Sequence, residues 1–446
     1  MGLAAGLAER EAAGQPVRVG LIGAGAFGTM FLAQARRTPG IHIVAVADRE
    51  PARARAALAR GGWPREDFLA TTIAEAASTG RTCVTAEAEN LVEVAIDVIV
   101  EATGSPAASV DHALAAFAAG CHVVMVTVEG DALTGPMLAQ RAAEAGVVYS
   151  LASGDQPALI CELVDWARTC GLEVVAAGKG TRYHPDFHHS TPDTVWAHYG
   201  LDAERALSAG FNAKMFNSFL DGTKSAIEMT AVANATGLRP APDGLSFPPS
   251  ARHELASVLR PHEDGGRLAT WPTVEVVSSL RRDGSEVRGD LRWGVYVVFR
   301  AGDEYVASRL VDYGVDTDES GRYGALYRPS HLIGLELGVS VASVALRGEA
   351  TGAPAAFVGD AVAVAKRDLA PGDRLDGEGG HTVRAELLPA AESLGRRALP
   401  IGLAANVTLA RSVVAGETVS WDDVDYIDDD SLAVRLRREL ERRGPP

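Results

Sequence analysis

No stretch of this chain constrains its fold more than Gly23-Ala24-Gly25-Ala26-Phe27-Gly28. It follows Val17–Ile22, a short apolar run rich in β-branched residues, and opens Phe27–Arg37, whose apolar residues carry helical spacing. A second strand-like run, Ile41–Ala47, comes next and ends on Asp48. Parallel strands need a crossover rather than a tight hairpin, and strand, glycine turn, helix and strand in this order supply one. In that setting GxGxxG is a dinucleotide fingerprint. Gly23 permits the tight turn, Gly25 lets the backbone approach a pyrophosphate, and Gly28 lets helix and strand pack closely. The helix N-terminus then meets the negative charge, with Ala26 and Phe27 in the same candidate site. Asp48 stands 20 residues past Gly28. There a carboxylate accepts from a ribose 2′-OH and favours NAD. Arg49 follows directly and Arg53 lies one turn on, and a guanidinium favours the 2′-phosphate of NADP. Both dinucleotides stay open.

The alternation continues. Ala52–Arg60 is expected to be helical, Val92–Ala102 to contain a buried strand, and Ser109–Ala119 to form a helix. His122–Val128 then reads as a strand, Leu138–Ala145 as a helix and Val147–Leu151 as a strand. This predicts an α/β doubly wound Rossmann domain over residues 16–155, behind a frayed leader at 1–15. Ligands of such sheets sit outside the carboxyl ends of the strands, which places Thr103 and Gly104 toward the nicotinamide. Beyond residue 155 the alternation stops. A strand at Glu173–Ala177, a helix at Ser225–Thr236 and antiparallel strands at Trp293–Ala301 and Tyr305–Asp312 predict an α+β substrate domain over 156–346. Residues 347–446 form a small β-rich unit with a charged helix at Ser431–Arg443. Within it, AKRDLAPGDRL (365–375) and LARSVVAGETV (409–419) echo one another weakly.

Composition narrows the function. A net charge of −16 disfavours nucleic acid and anionic membrane surfaces as partners, but a site can still gather a few cations. No apolar run is long enough for a bilayer span, and no signal-peptide pattern opens the chain, so a cytoplasmic protein is expected. Cys83, Cys121, Cys161 and Cys170 show no metal spacing and are read as buried, reduced thiols.

Cations do gather between residues 179 and 224. Lys179-Gly-Thr-Arg182-Tyr-His184 follows a strand, and Lys214-Met-Phe-Asn217-Ser-Phe-Leu-Asp221-Gly-Thr-Lys224 ends at a helix entry. Hydride transfer at a carbinol needs a proton acceptor at its oxygen, and the reverse needs a donor. Lys224 with Asp221, three residues apart on one helical face, meets that need, and Lys179 joins them as a candidate. The alternative is an N-terminal Asp cap beside a surface lysine.

GAGAFG, EATG, NSFLDGTK and YRPSHLIGLE, in that order, resemble the homoserine-dehydrogenase-related oxidoreductases. More specifically, GDQP (154–157), GKGTRYHP (178–185), STPDTVW (190–196) and FNSFLDGTKSAIEM (216–229) resemble the 1-deoxy-D-xylulose 5-phosphate reductoisomerase-like (DRL) proteins. The segment from Val362 to Val424 is similar to an SAF domain. The resemblance spans residues 16–430. It implies that Lys224 and Asp221 serve proton transfer and substrate binding, and that an element near 331–346 returns to the Rossmann domain. Homoserine dehydrogenases carry a second lysine after the fifth strand, where this chain has Val126-Thr-Val-Glu129, which argues against homoserine. If the reductoisomerase chemistry applies, Lys179, Arg182, Lys214 and Lys224 are candidates for phosphate, and Ser190, Thr191 and Asn217 for hydroxyl or amide bonds. His184, His188 and His189 with Asp186 or Asp193 read as a solvated loop rather than a metal site, so no metal ligand is assigned and a divalent ion is left open. The expected function is an NAD(P)-dependent oxidoreductase on a small polyhydroxylated, anionic substrate. Its sharpest form gives 2-C-methyl-D-erythritol 4-phosphate. The alternatives are a catabolic polyol or sugar-acid dehydrogenase, and a non-catalytic cofactor-binding sensor. A homodimer or higher homo-oligomer is expected, with the SAF unit at its contact or covering the substrate domain.

Overall fold

Strand β1 (Val17–Ile22) has no exposed residue, and its neighbours β2 (Ile41–Ala47) and β4 (Val98–Glu101) run parallel to it. The computed structural model describes residues 2–93, 96–208 and 210–446; Val94 and Ala95 of the apolar run 92–102 lie outside the described residues. With β3 (Cys83–Thr85), β5 (His122–Met125) and β6 (Tyr149–Leu151), these strands form a parallel sheet in the order β3-β2-β1-β4-β5-β6. The order reverses between β1 and β4. In a doubly wound fold that is where a crevice opens at the carboxyl ends of the strands. Strands covered by helices on both faces read as continuous apolar runs, as these do.

This sheet belongs to one of two compact units, Met1–Leu159 with His331–Pro354. The late segment supplies the helix Leu337–Arg347, whose Leu337, Val341, Ala342 and Val344 join the same buried cluster as Val17, Val19 and Leu21. Two sequence expectations are corrected here. Residues 3–12 are not a frayed leader but a helix, Leu3–Ala12. Leu7 is buried in the core, and the Glu11 carboxylate accepts from Gly40 N at 2.9 Å. The helix expected at Leu138 begins at Val128 and runs to Glu144 through Pro136. Gly130 and Gly135 look like breakers in sequence, but they serve close packing. A Cβ at Gly130 would lie 1.9 Å from Ser109 Oγ, and one at Gly135 would lie 2.6 Å from Asp131 Oδ1.

The second unit comprises Ile160–Ser330 and Ala355–Pro446. Its mixed sheet joins β7 (Glu173–Thr181), β8 (Thr273–Ser278), β9 (Val295–Arg300), β10 (Asp316–Thr317) and β11 (Tyr323–Arg328) in the order β10-β11-β9-β7-β8. Residues Tyr305–Asp312, expected as a strand, form the helix Glu304–Asp312. Asp303 caps it by accepting from Val306 N at 2.8 Å, a local signal that outweighs the β-prone tyrosine and valines. The strand that pairs with β9 is instead β11.

Helix Thr223–Thr236 is buried on nearly every side, as a helix packed on several elements must be. It packs against β7 and β8 and also against β12 (Gly359–Ala365) and β14 (Val383–Pro389) of the C-terminal domain. The remaining strands, β13 (Arg374–Asp376) and β15 (Ala405–Thr408), pair antiparallel. The weak sequence echo has a structural counterpart. Leu369 and Val413, equivalent in the two segments, exchange both backbone hydrogen bonds, and Gly372 and Gly416 turn with φ of 90° and 86°. Of the cysteines, Cys83 and Cys121 are buried. Cys161 is half-buried and Cys170 exposed, because Cys170 falls on the turn that ends the helix Gln156–Thr169.

Candidate functional site

The glycine turn forms a cradle of backbone. At Gly23, φ is 97° and a Cβ would lie 2.5 Å from Ala102 O; at Gly28 it would lie 2.3 Å from Gly23 O. Gly25 differs, with nothing within 4 Å of its Cβ position. Gly25 caps the helix Ala26–Ala35, and both Gly25 and Ala26 are exposed while Phe27 is half-buried. Two glycines thus close the turn and the middle one leaves room where a pyrophosphate would approach, so the residues fit a dinucleotide. Asp48 is tied to this loop. Its Oδ2 accepts from Ala24 N at 3.0 Å and its Oδ1 from Glu50 N at 2.9 Å. Arg49 is exposed, and Arg53 is engaged with Glu50 at 3.0 Å. At the end of β4, Thr103 Oγ1 donates to the buried Glu101 at 2.6 Å, and Gly104 N donates to Thr127 Oγ1 at 3.0 Å. These bonds fix the loop beside the crevice.

In the second unit, charged groups that sequence scatters are brought together in the interior. Lys179 on β7 forms an ion pair with Glu228, one turn past Lys224 on the helix Thr223–Thr236, and both side chains are buried. Asp221, fully buried, precedes that helix. Its Oδ1 accepts from Thr223 N at 2.9 Å, as an N-terminal cap would, and its Oδ2 lies 2.6 Å from Lys366 Nζ. Lys366 also donates to Ser190 O at 2.7 Å and to Gly380 O at 2.8 Å. Asn217 Nδ2 donates to Ser190 O at 3.1 Å and Gly379 O at 2.9 Å. Lys224 itself is half-buried at the start of its helix.

Beside this centre, Tyr183 stacks on Phe247 with ring centroids 3.9 Å apart, and its hydroxyl lies 3.1 Å from His188 Nε2. Phe247 is held at a φ of 49°, in the left-handed region, by Glu275, which accepts from the amides of Ser246 and Phe247. Burial pushes His188 down to about 3, and Arg384, His189 and Lys366 push it the same way. Burial thus keeps His188 neutral, and the two cations near it are paired, Lys366 with Asp221 and Arg384 with Glu386.

The sequence candidates therefore separate. Lys179 and Asp221 lie in the buried centre, with Ser190 and Asn217. Ser190 and Asn217 were expected to offer a hydroxyl and an amide to a ligand. The Asn217 Nδ2 group holds two backbone carbonyls and the Ser190 carbonyl accepts from Lys366, while Ser190 Oγ and Asn217 Oδ1 are buried without a hydrogen-bond partner among the described residues. Lys214, expected at a phosphate, is exposed and donates to Asp376 O at 2.6 Å. Arg182 reaches Glu286 at 3.5 Å, and Thr191 turns into a local bond with Thr194. Sequence shows that a cation or amide is present but not which groups of the folded chain it meets. Among the described residues, no group of three or more His, Cys, Asp or Glu side chains could hold a metal ion. Asp193 and His381 instead pair with each other at 3.1 Å.

Sequence reasoning missed Lys366 and the partner role of Glu228. A signal for Lys366 existed. Only Lys179, Lys214, Lys224 and Lys366 among the chain's 42 basic residues are lysines.

Three protein-family models match the chain in succession. They are the homoserine dehydrogenase NAD binding domain over residues 19–151, the catalytic domain of oxidoreductase DRL over 154–337, and the SAF domain over 360–425. No curated protein matches it. Among solved structures, it is similar to an NAD binding oxidoreductase from Klebsiella pneumoniae, at 22% identity over 37% of this chain and 43% of that one, with a TM-score of 0.27. An oxidoreductase from Agrobacterium radiobacter, solved with NAD+, L-tartaric acid and magnesium, matches at 15% identity over 37% and 44%, TM-score 0.27. The WlbA dehydrogenase from Chromobacterium violaceum, solved with NADH and UDP-GlcNAcA, matches at 16% identity over 39% and 46%, TM-score 0.26. The chain spans less than half the length of each of these proteins.

Proposed function

We propose that this chain, in which a homoserine dehydrogenase-type NAD-binding domain, a DRL oxidoreductase catalytic domain and an SAF domain follow one another, is an NAD(P)-dependent oxidoreductase acting on a small, polyhydroxylated, anionic carbonyl or alcohol compound. The observation that carries this reading is the helix Thr223–Thr236. Its first turn bears Lys224, and buried ion pairs stand at its entry (Asp221–Lys366) and one turn on (Glu228–Lys179). A helix so fixed holds its lysine in one place, which proton transfer requires.

When bound, the dinucleotide supplies or accepts the hydride. The chain's own residues do the rest. The cradle at Gly23–Gly28 receives the pyrophosphate, and Asp48 accepts from the ribose. Lys224 takes the proton from the substrate hydroxyl as an alcohol is oxidised, or returns it as a carbonyl is reduced. Ser190 Oγ and Asn217 Oδ1, buried without a hydrogen-bond partner among the described residues, support a polyhydroxylated substrate, because one has a hydrogen bond to give and the other one to accept. Reductoisomerase activity on 1-deoxy-D-xylulose 5-phosphate is the sharpest form of this reading. Asp48 favours a second form, an NAD-dependent polyol or sugar-acid dehydrogenase. Its carboxylate is fixed at the end of β2, and Arg53 is turned to Glu50.

A panel of phosphorylated ketoses, polyols and aldonates, assayed with both dinucleotides and with or without magnesium or manganese, separates the two forms. Reduction of NAD by a polyol or aldonate, with no NADPH oxidation on the ketose phosphate, removes the reductoisomerase. Lys224→Met is expected to lower turnover roughly 1,000-fold while leaving dinucleotide affinity within about two-fold. Undiminished turnover in that variant would remove Lys224 from the mechanism.

A further inference from the structure

Lys366 belongs to the SAF domain, yet its ammonium lies against the catalytic domain. The side chain is 3% exposed, and its three donors are matched by three acceptors: Asp221 Oδ2 at 2.6 Å, Ser190 O at 2.7 Å and Gly380 O at 2.8 Å. A saturated ammonium has no proton to offer a substrate, so its role is a fixed charge. The residue type fits that geometry. An ammonium is a compact point charge that three oxygens can surround, whereas a guanidinium is a planar fork. In a chain that uses arginine for nearly all its cations, four lysines survive, and every one lies in this unit.

The contacts run from Lys366 to the first turn of the Lys224 helix. Asp221 takes Lys366 on one oxygen and Thr223 N on the other. Thr223 Oγ1 in turn accepts from Ala385 N of β14 at 2.9 Å. Asn217 fastens the same two loops that Lys366 holds, through Ser190 O and Gly379 O. The turn that presents Lys224 is thus built half by the catalytic domain and half by the SAF domain.

We propose that the SAF domain is a working part of the catalytic centre, with Lys366 as the positioning residue that fixes, through Asp221, the helical turn presenting Lys224. The inference rests on the reading of Lys224 as the proton-transfer residue. Its test uses the full chain as Lys366→Met and as the pair Asp221→Asn/Lys366→Met. The readouts are melting temperature, NADH and NADPH fluorescence titration, kcat and KM on whichever compound the panel turns over, and mass-mapped acetylation of the lysines by acetic anhydride. Lys366→Met is expected to bind dinucleotide within two-fold of the parent and to lose at least ten-fold in kcat, with KM moved less than three-fold. Acetylation of Lys224, measured against the N-terminal amine, should change at least three-fold. The double variant, which leaves no unpaired buried charge, should regain melting temperature but neither kcat nor the parental Lys224 reactivity. A single variant within two-fold of the parent in kcat and Lys224 reactivity overturns the proposal. So does a double variant with parental kcat, because the pair would then only balance charge. Lys224→Met keeps the two ideas apart. Turnover that survives there defeats the proton-transfer reading, while the acetylation change in Lys366→Met still reports the positioning.

Discussion

The glycine cradle and the lysine centre both hold polar groups in fixed places, and they do it with opposite materials. The cradle is backbone. Gly23, Gly25 and Gly28 act by lacking side chains, and apart from the Ala102–Gly104 corner that closes on Gly23 the determinants lie in the stretch from Gly23 to Asp48. The lysine centre is made of buried charges. Lys179, Asp221, Glu228 and Lys366 come from a strand, a turn, a helix and a separate domain, and Ser190 stands 176 positions from the lysine that holds its carbonyl. A backbone site is spoiled by adding atoms. A charge site is spoiled by removing a partner, because the group left behind stays buried without compensation.

That contrast can be broken in three places. The largest effect is expected at Lys179→Met, which strands Glu228 in the interior at a cost of about 3–5 kcal/mol. Chemical denaturation should show the loss, and Glu228→Gln added to it should recover most of the stability. No recovery would mean that packing, not charge, dominates at this pair.

The next test asks whether a buried acid in the cradle's own unit obeys the same rule. Burial raises Asp131 to about 7, opposed by a hydrogen bond from Tyr149 at 2.9 Å. The folded chain holds this proton up to that pH, and the unfolded chain releases it near pH ~4. Its contribution to stability is therefore fully present below about pH 4 and declines by up to about 1.4 kcal/mol per pH unit as the pH rises toward 7. Asp131→Asn should flatten that decline in melting curves taken across the window. A variant with the parental slope would assign the slope to other groups.

A smaller effect is expected in the cradle. Gly28→Val would press its Cβ to within 2.3 Å of Gly23 O, an overpacking that is expected to cost about 1–3 kcal/mol of stability and, by distorting the turn, to lower dinucleotide affinity in a fluorescence titration. Lys179 and Glu228 should keep their pairing in this variant, so turnover at saturating cofactor tests whether the two sites fail independently.

How much of this was legible in the sequence follows the same divide. The Rossmann turn and the terminal SAF domain could be read directly, because each depends on local spacing or a contiguous motif, and the same spacing put Asp48 at the end of β2 and Thr103-Gly104 after β4. The helix at Leu3–Ala12 was misread for want of any visible partner. Tyr305–Asp312 was misread because β-prone residues hid the Asp303 cap. In the centre, sequence supplied Lys179, Asp221 and Lys224 as residue types suited to proton chemistry, but not the distant lysine that Asp221 meets. The structure gives Asp221 Lys366 as a buried counter-ion.

Sequence by itself determined that a dinucleotide cradle opens this chain, because the three glycines and the carboxylate act within one strand–helix–strand unit. Tertiary structure alone decided which cation meets which acid. An ion pair in the interior is set by whatever packing brings within a few ångströms, and no spacing along the chain records that.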